Sequence, residues 1–171
     1  MLNPPKRLML GLMLIFALLD QLSKLLALGL LPPEASVPVI PGIFQLTLAY
    51  NTGAAFSLLQ HRPQLLTLTS SVIFLTLLAC SFSRRQLLKG DAIALGMILG
   101  GALGNLVDRF RLGQVTDFLD VVAIHYPIFN VADSLIVCGV ALLTIRYLVP
   151  APHEHRRPSL PPAAETTAKQ H

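Results

Sequence analysis

Charge is what this chain has least of. Of its 171 residues only 13% are Asp, Glu, Lys or Arg, against 53% hydrophobic. A water-soluble domain of this length carries roughly 25% charged residues. A mean hydropathy of +0.64 points the same way, to a membrane protein and not to one large water-soluble core. Tryptophan is absent and aromatics make up 6%, so any interfacial belt rests on Tyr and Phe. The two cysteines, Cys80 and Cys138, lie inside separate apolar runs. That spacing builds neither a disulfide framework nor a zinc site, and both are expected to be small buried hydrophobes. No His-Glu-x-x-His, no Gly-x-Ser-x-Gly and no phosphate-binding loop occurs, and three of five histidines (His153, His155, His171) sit at the polar C-terminal end. Metal and serine mechanisms therefore start with little support. The net charge of +4 does not indicate nucleic acid, because the basic residues form short clusters between apolar segments and no single stripe.

What is abundant is apolar helix. A bilayer core of about 30 Å needs around 20 mostly apolar helical residues. Residues 64–83, "QLLTLTSSVIFLTLLACSFS", satisfy this with no charge. Residues 8–31 contain Asp20 and Lys24, residues 91–107 end against Asp108, and residues 128–149 contain Asp133 and Arg146. Four spans result. The first has a basic start at Lys6 and Arg7 but is too long and too charged for a cleaved signal peptide, and is read as a retained helix. Lys6 and Arg7, then Arg84, Arg85 and Lys89, then Arg146, Arg156 and Arg157 flank the spans so that both chain ends fall on the cytoplasmic side. Segments 32–63 and 108–127 then face outward, with Arg62, Arg109 and Arg111 as exceptions. The short "RRQLLKG" link predicts that spans two and three are antiparallel neighbours. In the first outward segment the alternation of Phe44-Gln45-Leu46-Thr47-Leu48 predicts a short strand and "NTG" a turn. The fold class is thus an all-α membrane protein with a small β-containing segment on the outer surface. Residues 1–149 form the membrane domain, and the Pro-rich residues 150–171 are expected to be a disordered tail.

Ionisable residues in membrane segments are costly, so each is a candidate for function. Asp20 and Lys24, four apart, share a helix face and can pair. Gly96, Gly100 and Gly104 make a small-residue stripe suited to close helix packing. Gly101, Asn105 and Asp108 form an adjacent stripe, with Asp108 and Arg109 placed to cap and pair at the helix end. Asp117 and Asp120 stand among apolar residues, where a lone Asp is usually an edge residue or a cap, and Asp133 alone would pass as a helix N-cap. Given the orientation, however, Asp20, Asn105, Asp108, Asp117, Asn130 and Asp133 all fall toward the outer half of the bilayer. Two such carboxylates can hold one proton between them, the ionised one activating water and the protonated one serving a carbonyl, as in aspartic peptidases. Spacing alone leaves open which two of Asp20, Asp108, Asp117, Asp120 and Asp133 do so. A proton- or cation-coupled carrier using Asp20 and Asp133, or a silent membrane scaffold, are the alternatives.

Five blocks occur in order: "DQLSK" at 20–24, "NTGAAFS" at 51–57, "GGALGNLVDR" at 100–109, "VTDFLDV" at 115–121 and "FNVADS" at 129–134. Together they resemble bacterial lipoprotein signal peptidase (signal peptidase II) over roughly residues 8–149. The resemblance implies an aspartic endopeptidase of the bacterial inner membrane that removes signal peptides from prolipoproteins, cutting just before a diacylglyceryl-modified cysteine. It maps the catalytic pair onto Asp117 and Asp133, with Asp20, Asn51, Gly53, Asn105, Asp108, Arg109 and Asn130 binding or shaping around them. Asp120 is left structural. No cofactor or metal is implied. Partners are the lipid-modified prolipoprotein, membrane lipid and globomycin-type inhibitors, with "NTGAAF" expected to lie beneath or across the site.

Overall fold

The computed structural model describes residues 3–53 and 63–149. The expected tail, and the Ala-Ala-Phe part of "NTGAAF", lie outside the described residues. Four helices are long and apolar enough to cross a membrane: α1 (Pro4–Leu30), α2 (Pro63–Ser83), α3 (Lys89–Leu112) and α4 (Val131–Leu148). Three short strands, β1 (Val37–Ile40), β2 (Phe44–Asn51) and β3 (Val115–Asp120), form one antiparallel sheet in that order. The mostly helical membrane architecture with a small sheet is the one expected. The boundaries moved where capping chemistry decides them. Asn3 caps α1, its side chain accepting from the Lys6 N–H at 3.2 Å, so the helix starts at Pro4. Helix α3 runs past Asp108 to Leu112 and stops at Gly113, whose φ of 71° is left-handed.

Helix α3 is the central one. Ala92, Ala94, Leu99, Gly100 and Gly104 are buried along it, while much of α1, α2 and α4 presents exposed Leu, Ile and Val outward, as lipid-facing helices do. The glycine stripe explains the close approach of α1. A Cβ at Gly96 would lie 2.8 Å from Leu12 Cβ, and one at Gly100 2.7 Å from Phe16 Cβ. On an adjacent face, a Cβ at Gly101 would strike the Ala132 carbonyl of α4, and Gly139 of α4 returns the contact against Ile98 at 2.7 Å. Both partners therefore reach the α3 backbone, and polar side chains on three helices come within hydrogen-bonding distance.

At one end of the bundle the starts of α1 and α3 meet the ends of α2 and α4. Lys6 Nζ donates to the Phe82 carbonyl at 2.6 Å, Arg84 Nη1 to the Tyr147 hydroxyl at 2.6 Å, and Arg146 Nε to Asp91 at 2.9 Å. The sheet lies at the opposite end. Cys80 and Cys138 correct the sequence reading: both are free and exposed, on the outward faces of α2 and α4. An apolar run predicts burial only when water is the solvent; in a bilayer the outside of a helix is apolar too.

Candidate active site

The sheet register brings the first acid into place. Beyond Gly113, β3 turns back along β2, pairing Asp117 with Ala49 and Val115 with Asn51. Asn51 Nδ2 then donates to Asp117 Oδ2 at 3.1 Å, and Asn51 Oδ1 accepts the Gly53 N–H at 3.0 Å, closing the expected turn. On its other side β3 meets Phe129: the Phe118 and Leu119 N–H groups donate to the Phe129 carbonyl at 3.0 and 2.8 Å. That bridge sets the next residue, Asn130, beside Asp117. Asn130 Nδ2 donates to Asp117 Oδ1 at 2.6 Å.

Asn130 also begins α4. Its Oδ1 accepts the Asp133 N–H at 3.0 Å, and Asp133 Oδ2 accepts the Asn130 N–H at 3.3 Å, a capping box. Asp133 is therefore an N-terminal helix residue and a near neighbour of Asp117 at once. Its Oδ1 accepts from Asn105 Nδ2 at 2.9 Å. Asp117 is enclosed and Asp133 half-buried. Burial first, and the Asp133 charge second, push the Asp117 carboxyl up to about 6 from the usual 3.8, while Asn51, Asn130 and Lys24 pull against that rise.

Behind the pair lies a buried polar layer. Lys24 Nζ contacts Asp20 Oδ2 at 2.8 Å, Asp108 Oδ2 at 3.0 Å and Asn105 Oδ1 at 2.9 Å. Asp20 Oδ1 accepts the Ala132 N–H at 2.9 Å, holding the first turn of α4, and Asp108 Oδ2 accepts the Thr116 N–H at 3.0 Å, holding β3. Asp108 thus ties helix to strand, and its partners are Lys24, Gln21 and Thr116 in place of the expected Arg109. Arg109 reaches toward Asp133, Asp117 and Asp108 electrostatically, and its Nε is buried without a partner among the described residues. Asp120 stands apart, accepting from Gln45 at 2.7 Å and Thr47 at 3.0 Å.

All nine residues singled out from the sequence thus gather in one region. Sequence reasoning missed Gln21, which donates to Asp108 Oδ1 at 2.8 Å and to the Gly104 carbonyl at 3.1 Å. It gave Lys24 only its Asp20 partner. A polar residue one position after Asp20, inside an apolar helix, was the available signal for Gln21.

Residues 12–149 match the family described as signal peptidase (SPase) II. The chain belongs to that family. It is 40% identical over 139 residues to a lipoprotein signal peptidase of a Nostoc species, covering 81% of this chain and 88% of that one. It is 46% identical over 136 residues to the lipoprotein signal peptidase of Geobacter sulfurreducens, covering 74% and 82%. The lipoprotein signal peptidase of Moorella thermoacetica is 42% identical over 143 residues, covering 82% and 92%. A solved structure described as a bacterial membrane enzyme superposes with a TM-score of 0.74 at 30% identity, covering 82% of this chain and 87% of that one. This signal peptidase II is accordingly a peptidase and a multi-pass membrane protein. The carrier alternative finds no support.

Proposed function

We propose that this signal peptidase II is an aspartic endopeptidase whose catalytic pair is Asp117 and Asp133, and that it cleaves diacylglyceryl-modified prolipoproteins just before the lipidated cysteine. One observation carries the proposal: Asn130 bonds Asp117 through its amide and caps the helix bearing Asp133 through its oxygen. Two acids from different elements are so held together. The charge of one raises the proton affinity of the other, so the pair can hold a single proton between them. The ionised acid takes a proton from water as it attacks the scissile carbonyl. The protonated acid hydrogen-bonds the carbonyl oxygen and later supplies the leaving amine with its proton.

The surroundings suit such a substrate. Lys6, Arg7, Arg84, Arg85, Lys89 and Arg146 belong to the bundle end away from the sheet, which the positive-inside rule assigns to the cytoplasm. In an inner membrane the pair then faces the periplasmic boundary, where a signal helix and its lipid-bearing cysteine arrive by lateral diffusion. The buried Nε of Arg109, without a partner among the described residues, is available to bind a substrate carbonyl or the lipid head region, and Asn51 to orient the substrate backbone. Globomycin-type peptides are expected to bind at the same acid pair. The test is to incubate purified protein with a diacylglyceryl-modified prolipoprotein and with its unmodified form, and to identify new N-termini by mass spectrometry. A lipidated cysteine as the new N-terminus, from the modified substrate only, is expected. Cleavage elsewhere, or equally of both, contradicts the assignment.

A further inference from the structure

The direction of each amide around the acid pair can be deduced from what its partner is able to do. An ammonium group has three donors and no acceptor, whereas an asparagine side chain has one of each end. Lys24 spends its donors on Asp20, Asp108 and Asn105 Oδ1, and Asn130 Nδ2 donates to the same oxygen at 3.1 Å, so the Asn105 oxygen must face Lys24. Its NH2 is thereby turned to Asp133 Oδ1 at 2.9 Å. Asn130 and Asn51 are pinned in the same way by donor-only backbone groups, the N–H of Asp133 and of Gly53. Their NH2 groups therefore point at Asp117 Oδ1 and Oδ2, at 2.6 and 3.1 Å. Both oxygens of Asp117 and one of Asp133 are required to accept. Among the described residues, only Asp133 Oδ2 meets no side-chain donor, having a 3.3 Å contact from the Asn130 N–H.

From this, and resting on the aspartic-peptidase reading above, we infer that Lys24 is a positioning residue. Acting through Asn105, it completes a set of three one-way amides that leave the shared proton on Oδ2 of Asp133, making Asp117 the base and Asp133 the acid of the resting enzyme. Burial alone favours the reverse, since Asp117 is the more enclosed of the two. A proton on Asp117, however, would lie where two N–H donors already point, and would weaken two charge-assisted hydrogen bonds. On Asp133 Oδ2 it displaces only the long backbone contact. The charged groups facing the pair are Lys24 and Asp20 from α1, and Asp108 and Arg109 from α3. None of these supplies a donor to either oxygen of Asp117.

The experiment is a carboxyl-carbon NMR titration of the full chain in micelles, with 13C-labelled aspartate and the two resonances assigned from Asp117→Asn and Asp133→Asn. Across the titration of the pair, the Asp133 carboxyl carbon should take the larger shift and Asp117 the smaller. A larger shift at Asp117, or an equal division, overturns the inference. Lys24→Gln keeps a donor toward Asn105 and removes the charge: the proton should stay on Asp133 while the pair's titration moves to higher pH. Lys24→Met removes the donor as well, leaves the Asn105 oxygen only the 3.1 Å contact from Asn130 Nδ2, and should redistribute the shift between the two carbons and slow cleavage on the order of 10²-fold. If Lys24→Met does not fold, the parent and Lys24→Gln still decide; a proton that leaves Asp133 in Lys24→Gln refutes the amide argument. A parent protein that cleaves no lipoprotein counts against the proposed function, and the carbon titration locates the proton regardless.

Discussion

Asn130 and Asp117 are joined by a 2.6 Å hydrogen bond between the end of one connection and the middle of a strand. The same Asn130 caps α4, so one side chain both holds a proposed catalytic acid and starts the helix that carries the other. Replacing it by alanine should therefore cost twice. Loss of the cap is worth about 1 kcal/mol, and leaving Asp117 short of a donor about 1–3 kcal/mol. Asn130→Ala is expected to lower the melting temperature and to reduce cleavage at least about tenfold, that being the effect of 1.4 kcal/mol on a rate. Wild-type cleavage in a folded Asn130→Ala protein would show that the bond does not position the pair.

The proton affinity raised at Asp117 is shared with Asp133 as a pair and has a defined sign. With about 6 in the folded protein against 3.8, the folded state binds the proton more tightly than the unfolded state between those values. Stability from this group is therefore fully present below about pH 4 and is lost as pH rises through 6, a cost on the order of 3 kcal/mol above that. Asp117→Asn should be increasingly stabilised relative to the parent as pH rises from 4 to 8, measured by thermal unfolding in detergent. A pH-independent difference would mean that the pair binds no such proton. Cleavage by the parent, which needs one proton on the pair, should decline as pH rises above about 6.

The glycine faces give a packing test. Gly101→Ala would drive a methyl group into the Ala132 carbonyl, one residue from Asp133, and overpacking of this kind costs about 1–3 kcal/mol. Gly11 on the lipid side has nothing within 4 Å of an added Cβ. Gly11→Ala should be neutral, or stabilising by up to about 1 kcal/mol through helix propensity. Comparing unfolding temperatures and cleavage of the two variants checks whether α3–α4 contact sets the site.

Arg109→Ala should weaken processing while leaving membrane insertion intact, since its buried Nε has no partner among the described residues and its removal breaks no hydrogen bond found there. Asp120→Asn should leave cleavage near the parent level, because among the described residues the Asp120 side chain bonds only Gln45 and Thr47. Unchanged processing by Arg109→Ala would remove that residue from the site.

Much of this was legible beforehand, for physical reasons that can be named. Span length and charge placement follow from the bilayer, and Gly96, Gly100 and Gly104 announce a packing face. The strand β3 was not anticipated, because Val115 to Phe118 are all buried and the alternation that marks a half-exposed strand is missing. Its register with β2 passes through a bulge between Leu46 and Ala49, which no periodicity encodes. Lys24 looked paired once its Asp20 neighbour was counted; its contacts with Asn105 and Asp108 depend on how closely α1 approaches α3 at Gly104, where a Cβ would collide with the Asp20 carboxylate. Cys80 and Cys138 were misplaced because lipid, like a core, accepts apolar side chains.

The central claim is the Asp117–Asp133 pair, and the most direct measurement is cleavage of a diacylglyceryl-modified prolipoprotein by the parent, Asp117→Asn and Asp133→Asn, each verified as folded and each assayed with a chelator present. Cleavage before the lipidated cysteine by the parent alone is the predicted result. Cleavage by either folded variant at a rate near that of the parent would contradict the pair.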